Sequence, residues 1–138
     1  MPKLMAVSST RKLLLIGVIA YTMALGIGSL IHMPVVLEEA PQNSDKILHA
    51  TAYFFFCIFW FLYLYLAGMR ERKFKTILII AAGWSLFFGM VIEILQLEFT
   101  TYRTGDSLDM LANTTGVVLA VLVLNMSKSS VNNIKEKF

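Results

Sequence analysis
Residues 13–31 read LLLIGVIAYTMALGIGSLI, and no charge interrupts them. The hydrocarbon core of a bilayer is roughly 30 Å thick and a helical residue rises about 1.5 Å, so about 20 mostly apolar residues suffice to cross it. This run is long enough to span as one helix. It follows Lys3, Arg11 and Lys12, as a secretory signal would. Its apolar stretch exceeds the roughly 7–15 residues of a signal core, and no A-x-A cleavage site comes after it, so an uncleaved anchor is the better reading.

Three further runs follow. Residues 47–67 are interrupted only by His49, residues 76–97 carry Glu93 near their end, and residues 108–126 carry Asp109 and Asn113 in their first two turns. Hydrophobic residues make up 57% of the 138, charged ones 15%, and the mean hydropathy is +0.70. A soluble domain carries about a quarter charged residues, and a soluble chain this small has no interior large enough for so much apolar surface. Lipid must be the solvent. The expected fold is all-α: a polytopic membrane protein forming one membrane domain over residues 1–138, an antiparallel bundle of four transmembrane helices with short connections. Gly26, Gly28, Gly83, Gly89 and Gly116 are the candidates for close helix contact. Cys57 is the single cysteine and lies inside an apolar run, so one chain offers no disulfide and no cysteine-based metal site.

Charge sets the expected orientation. Lys3, Arg11, Lys12, Arg70, Arg72, Lys73, Lys75, Lys128, Lys135 and Lys137 fall on one side of the four spans, whereas of the 12 basic residues only Lys46 and Arg103 fall on the other. The positive-inside rule then puts both termini and the middle loop in the cytoplasm. Acidic residues distribute the opposite way: Glu38, Glu39, Asp45, Glu93, Glu98, Asp106 and Asp109 lie at or near the outer face, and Glu71 and Glu136 inside. The formal charge of +3 thus conceals a dipolar protein. Its basic rim suits anionic lipid headgroups and calls for no nucleic-acid partner.

The outer face carries residues that a plain lipid anchor lacks. Asp45, His49, Ala52 and Tyr53 share one face of span two, next to Lys46. Glu93 and Gln96 occupy the last two turns of span three, with Gly89 one turn deeper. Asp106, Asp109, Asn113 and Gly116 form one stripe on span four, preceded by Arg103. Counted from the outer ends, Tyr53, Glu93 and Asn113 lie roughly 6–10 Å deep. Polar groups at that depth are costly against lipid and should turn toward protein or water. A shared polar pocket opening outward satisfies all three helices. Asp106 is a plausible N-cap for span four, and Asp109 suits the positive end of that helix's dipole. Arg103 can hold a carboxylate bidentately, either as an internal clamp or on an anionic ligand. For His49, a hydrogen-bonded structural role, a general base and a metal ligand all remain open. No HExxH or comparable motif is present, so no metal or cofactor is expected.

Taken in order, three motifs carry a resemblance. They are Asp45-Lys46-x-x-His49-x-x-Ala52-Tyr53, then Glu93-x-x-Gln96, then Arg103-x-Gly105-Asp106-x-x-Asp109-x-x-Ala112-Asn113-x-x-Gly116. The chain resembles the VanZ-like family of small bacterial membrane proteins over about residues 12–126. The resemblance implies a multi-pass protein of the bacterial plasma membrane acting at the cell envelope, and the founding member is associated with low-level resistance to the glycopeptide teicoplanin. It supplies no reaction and no catalytic residue. The expected function is binding of a lipid-linked or anionic envelope ligand, such as a lipid-linked cell-wall precursor, in the outer pocket. The alternative is a membrane-embedded hydrolase or transferase acting on a cell-wall precursor or lipid headgroup, with Glu93, Asp109 and His49 as acid and base groups. If the orientation is right, an impermeant thiol reagent applied to intact cells should label a cysteine at position 103 and leave one at position 73 untouched. Labelling at position 73 from outside would invert the topology.

Overall fold
Inside hydrocarbon every backbone N–H and C=O must be paired within its own segment or a closed barrel, and a chain with four apolar runs of this length meets that demand as helices. The structure, a computed structural model, describes residues 2–31, 44–99 and 107–137. Helices α1 (Pro2–Leu30), α2 (Ser44–Tyr63), α3 (Phe74–Phe99), α4 (Ser107–Met126) and α5 (Lys128–Lys137) follow one another, and no described residue is in a strand. The segments apolar and long enough to cross a membrane are Ser9–Leu30, Ser44–Gly68, Phe74–Phe99 and Ser107–Met126. They contain the expected runs nearly whole and extend most of them by a few polar or charged residues.

Helix α2 continues into a π-helical turn, Leu64–Gly68, closed by Met69 N–H donating to the Leu64 carbonyl at 2.7 Å. This wider turn leads into the short reversal at residues 69–73, where Arg72 N–H donates to the Met69 carbonyl at 3.0 Å. The chain after residue 126, expected as a basic tail, instead forms the amphipathic helix α5. Its Val131 is buried in the same apolar cluster as Tyr65, Phe74 and Leu124.

Consecutive spans run antiparallel, yet the most extensive packing joins α2 to α4, which run in the same direction. Lys46 meets Asp109, His49 meets Asn113, and Ala50 and Phe54 meet Gly116, so the contacts advance together along both helices. Gly116 makes this possible. A Cβ there would run into the Ala50 carbonyl and come within 3.0 Å of the Phe54 nitrogen. Gly89 on α3 performs a similar service, since a Cβ would stand 3.1 Å from the Tyr53 ring. Of the other glycines expected at close contacts, Gly26 has ordinary van der Waals neighbours, and Gly28 and Gly83 face open space.

Aromatic side chains fill the bundle between α2 and α3. Phe56 stacks on Phe88 with centroids 4.9 Å apart, Trp60 meets Trp84 edge-on at 5.7 Å, and Phe61 meets Phe74 at 5.0 Å. Helix α1 is peripheral, with 6% of its spanning window buried. Its Leu13, Ile16, Met23 and Ile27 are exposed along one side, the surface that acyl chains must cover. Tyr21 ties it to α2 by donating to the Ala52 carbonyl at 2.9 Å, and Trp60 Nε1 donates to Thr22 Oγ1 at 3.2 Å.

The glycine contacts make opposite forecasts for chemically identical substitutions. Gly116→Ala should cost about 1–3 kcal/mol by overpacking. Gly28→Ala and Gly83→Ala should be neutral or stabilising by up to about 1 kcal/mol through helix propensity. Unfolding of the purified protein by SDS titration in mixed micelles measures all three, and equal tolerance at Gly116 and Gly28 would refute the proposed close approach.

Candidate functional site
Three helices bring polar side chains to the end of the bundle opposite α5. From α2, the first-turn residues Asp45 and Lys46 stand at the rim, with His49 and Tyr53 one and two turns deeper. Helix α4 begins at Ser107, so Asp109 lies in its first turn, where the helix dipole favours a carboxylate, and Asn113 one turn below. Helix α3 contributes Glu93 and Gln96 from its last two turns. His49, Tyr53, Glu93, Gln96, Asp109 and Asn113 are all buried. The cost of exposing ionisable groups to hydrocarbon turns them inward.

Lys46 is the hub of the rim. Its Nζ donates to Asp109 Oδ1 at 2.5 Å and lies 3.1 Å from Asp45 Oδ2. The ion pair with Asp109 joins α2 to α4. One turn deeper, His49 Nδ1 lies 3.1 Å from Asn113 Oδ1, and its Nε2 lies 3.7 Å from Asp109 Oδ2. An amide oxygen only accepts, so Nδ1 carries the proton. The second ring nitrogen is thereby aimed at the carboxylate, an arrangement that can hold or pass a proton.

Deeper still, the phenol end of Tyr53 and Asn113 Nδ2 converge over Gly89. From the position of a Gly89 Cβ, Tyr53 Cε1 is 3.1 Å and Asn113 Nδ2 3.5 Å away. Glu93 is close enough to act electrostatically on Tyr53. Tyr53 Oη and Asn113 Nδ2 are buried and have no hydrogen-bond partner among the described residues. Gln96 turns another way: its Nε2 donates to the Ser29 carbonyl at 2.7 Å and fastens α3 to the end of α1. Beside it, a cleft of about 250 Å³ separates α1 from α2, lined by Ala24, Gly28, Ser29, Leu48, His49 and Ala52.

The structure thus brings Lys46, His49, Asp109 and Asn113 into direct contact, with Tyr53 and Glu93 adjoining them and Asp45 at the exposed rim. Arg103 and Asp106 lie outside the described residues. Among the described residues no group of three His, Cys, Asp or Glu side chains stands together to hold a metal ion. Lys46 belongs to the expected polar cluster, but its pairing with Asp109 does not follow from helical spacing. Its signal was the one basic residue at the start of span two, a full helical turn from His49 on a partly shared face.

Four helices able to cross a membrane, with charged and amide side chains folded inward at one end, define a multi-pass helical membrane protein. The profile of the VanZ/LLP1 family matches residues 19–128, and the chain belongs to that family. No curated protein and no solved structure matches it.

If the Lys46–Asp109 pair holds α2 against α4, its two partners should be coupled. Lys46→Met and Asp109→Asn should each destabilise, and the double variant should be less damaged than the sum by about 1–3 kcal/mol. Additive losses in the SDS unfolding free energies would show that the two charges do not depend on one another.

Proposed function
We propose that the protein is a non-catalytic binding protein of the bacterial plasma membrane, with cytoplasmic termini, whose recess receives the oxygen-bearing headgroup of a lipid-linked or otherwise anionic envelope ligand. One observation carries this reading: Tyr53 Oη and Asn113 Nδ2 are buried beside one another without partners among the described residues. A buried donor left unsatisfied costs about 1–3 kcal/mol. An incoming phosphate or hydroxyl oxygen offsets that cost. Lys46 above them supplies a further donor, while Glu93 and Asp109 accept from ligand hydroxyls. Recognition takes place at the bilayer surface, where a lipid-linked cell-wall precursor presents its headgroup. Occupancy of such a ligand would change its access to glycopeptides, which connects the reading to the teicoplanin phenotype associated with the family's founding member.

The second reading is a membrane-embedded hydrolase or transferase, and a specific contact favours it: His49 is oriented by Asn113 with its Nε2 toward Asp109. Two candidate nucleophiles among the described residues are engaged elsewhere. Ser85 is buried and donates to the Ala81 carbonyl at 2.8 Å, and Cys57 is buried in the aromatic core. Binding therefore ranks first.

The test uses the protein in nanodiscs and a polyprenyl-diphosphate-linked cell-wall precursor as probe. Tyr53→Phe and Asn113→Ala should each weaken retention about tenfold, the equivalent of one hydrogen bond. Thermal stability should stay unchanged or rise in Tyr53→Phe, which removes only an unpaired buried hydroxyl, and fall in Asn113→Ala, which also deprives His49 Nδ1 of its acceptor. Retention unaffected by both substitutions would eliminate the binding reading. Conversion of the probe, abolished by Asp109→Asn, would replace it with the enzymatic one.

A further inference from the structure
The opposite end of the bundle is organised around a pair of like charges. Lys135 Nζ donates to the Arg70 carbonyl at 2.6 Å, and Arg70 Nη2 reaches the Lys135 carbonyl at 3.4 Å. Each cation is thus held by the other's backbone. The same ammonium lies 3.8 Å from the centroid of the Tyr65 ring, and Tyr65 Oη donates to Asn132 Oδ1 at 2.7 Å. These contacts fix α5 against the π-helical turn that ends α2. Burial, and then the Arg70 charge, lower the Lys135 pKa from its ordinary value, with Glu71 opposing them.

The surroundings add to this field. Arg72, Lys73, Lys75, Lys128 and Lys137 are exposed at the same end, against the carboxylates of Glu71 and Glu136 among the described residues. Two rigidly juxtaposed cations in such company repel one another, and a counter-anion relieves the repulsion. Arg70 is half-buried and anchored, and its planar fork keeps donors to offer an oxyanion bidentately. Apolar residues adjoin each cation in the chain: Ile134, next to Lys135, is 47% exposed and Met69, next to Arg70, 42%. Cations at the level where the apolar spans end, bordered by apolar side chains that water would not favour, match the boundary between phosphate and acyl chain.

We propose that the junction of α5 with the α2–α3 turn, centred on Arg70 and Lys135, is a binding site for the phosphate of an anionic phospholipid. Lipid rather than free phosphate is the occupant because the exposed apolar rim adjoins the cations and needs chains to cover it. The site is independent of the recess at the far end and would stand if that recess bound nothing.

Arg70→Gln is the informative substitution, because the Arg70 carbonyl that accepts from Lys135 Nζ at 2.6 Å is retained and only the longer 3.4 Å bond from Nη2 is lost. The full-length protein is equilibrated in nanodiscs of phosphatidylcholine doped with phosphatidylglycerol, and the lipid retained after detergent extraction is counted by native mass spectrometry. Phosphatidylglycerol should be retained about tenfold over phosphatidylcholine, and Arg70→Gln should remove most of that preference. Arg72→Gln, which alters the general charge equally, should change it less than twofold. Lys135→Gln should also reduce it, with limited proteolysis of α5 showing whether the helix stays docked. Excess inorganic phosphate should not displace the lipid. Equal retention of both lipids, equal effects of Arg70→Gln and Arg72→Gln, or displacement by inorganic phosphate would each overturn the proposal.

Discussion
Helices α2 and α4 meet where the Gly116 backbone lies directly against that of Ala50, and the polar cluster depends on this approach. No side chain separates the two helices at that level. One turn toward the polar end, the separation suits a hydrogen bond between His49 and Asn113, and at the rim it suits an ion pair between Lys46 and Asp109. A larger residue at the crossing would spread the helices and lengthen both contacts together. Packing in lipid gains nothing from simple apolar burial, since acyl chains are as apolar as leucine. Close backbone approach and interhelical polar contacts are what remain to hold helices together, and here one enables the other.

The bilayer explains why polar side chains at the spans turn inside while many large hydrophobic ones stay on the outer surface. Ile79, Phe87, Ile94, Leu111 and Leu122 are exposed on α3 and α4, whereas Ser85, Glu93, Gln96, Asp109 and Asn113 are buried. In water this pattern would be an inversion. In hydrocarbon it follows from the cost of unpaired polar groups. The consequence is a polar end at which α1 is joined to α3 through Gln96–Ser29 and α2 to α4 through His49–Asn113 and Lys46–Asp109.

Much of this was legible in the sequence, and the limits of legibility have physical causes. Length and hydropathy located all four spans, because a hydrocarbon slab of fixed thickness demands apolar runs of one length. The three- and four-residue spacings of Asp109, Asn113 and Gly116, and of His49 and Tyr53, placed them on common faces, since helical periodicity is independent of context. Which helices pair is a different matter. Hydropathy is the same for every lipid-compatible helix, so nothing in it favours the parallel α2–α4 contact over the sequential antiparallel ones. Gly116 and Gly28 look alike in the chain, yet the first is at a crossing and the second faces open space. The short helix α5 escaped because its apolar pattern consists of Val131 and Ile134 among polar residues, too little for a spanning signal and enough for an interfacial one. Arg103 and Asp106, prominent in the motif, fall outside the described residues.

The two ends of the bundle resolve their charges in different ways. At the polar end, opposite charges from separate helices face one another, and their attraction is internal to the fold. At the basic end, Arg70 and Lys135 are brought side by side although they repel, held by backbone carbonyls and by the face of Tyr65. An internal ion pair stabilises the protein in any solvent that admits it. A fixed pair of cations does so only where an anion is supplied from outside, and the leaflet surrounding this end is the nearest source. The proposed lipid phosphate would thus add to the contacts within the chain that dock α5 on the reversal at residues 69–73, whereas the α2–α4 register needs no such partner.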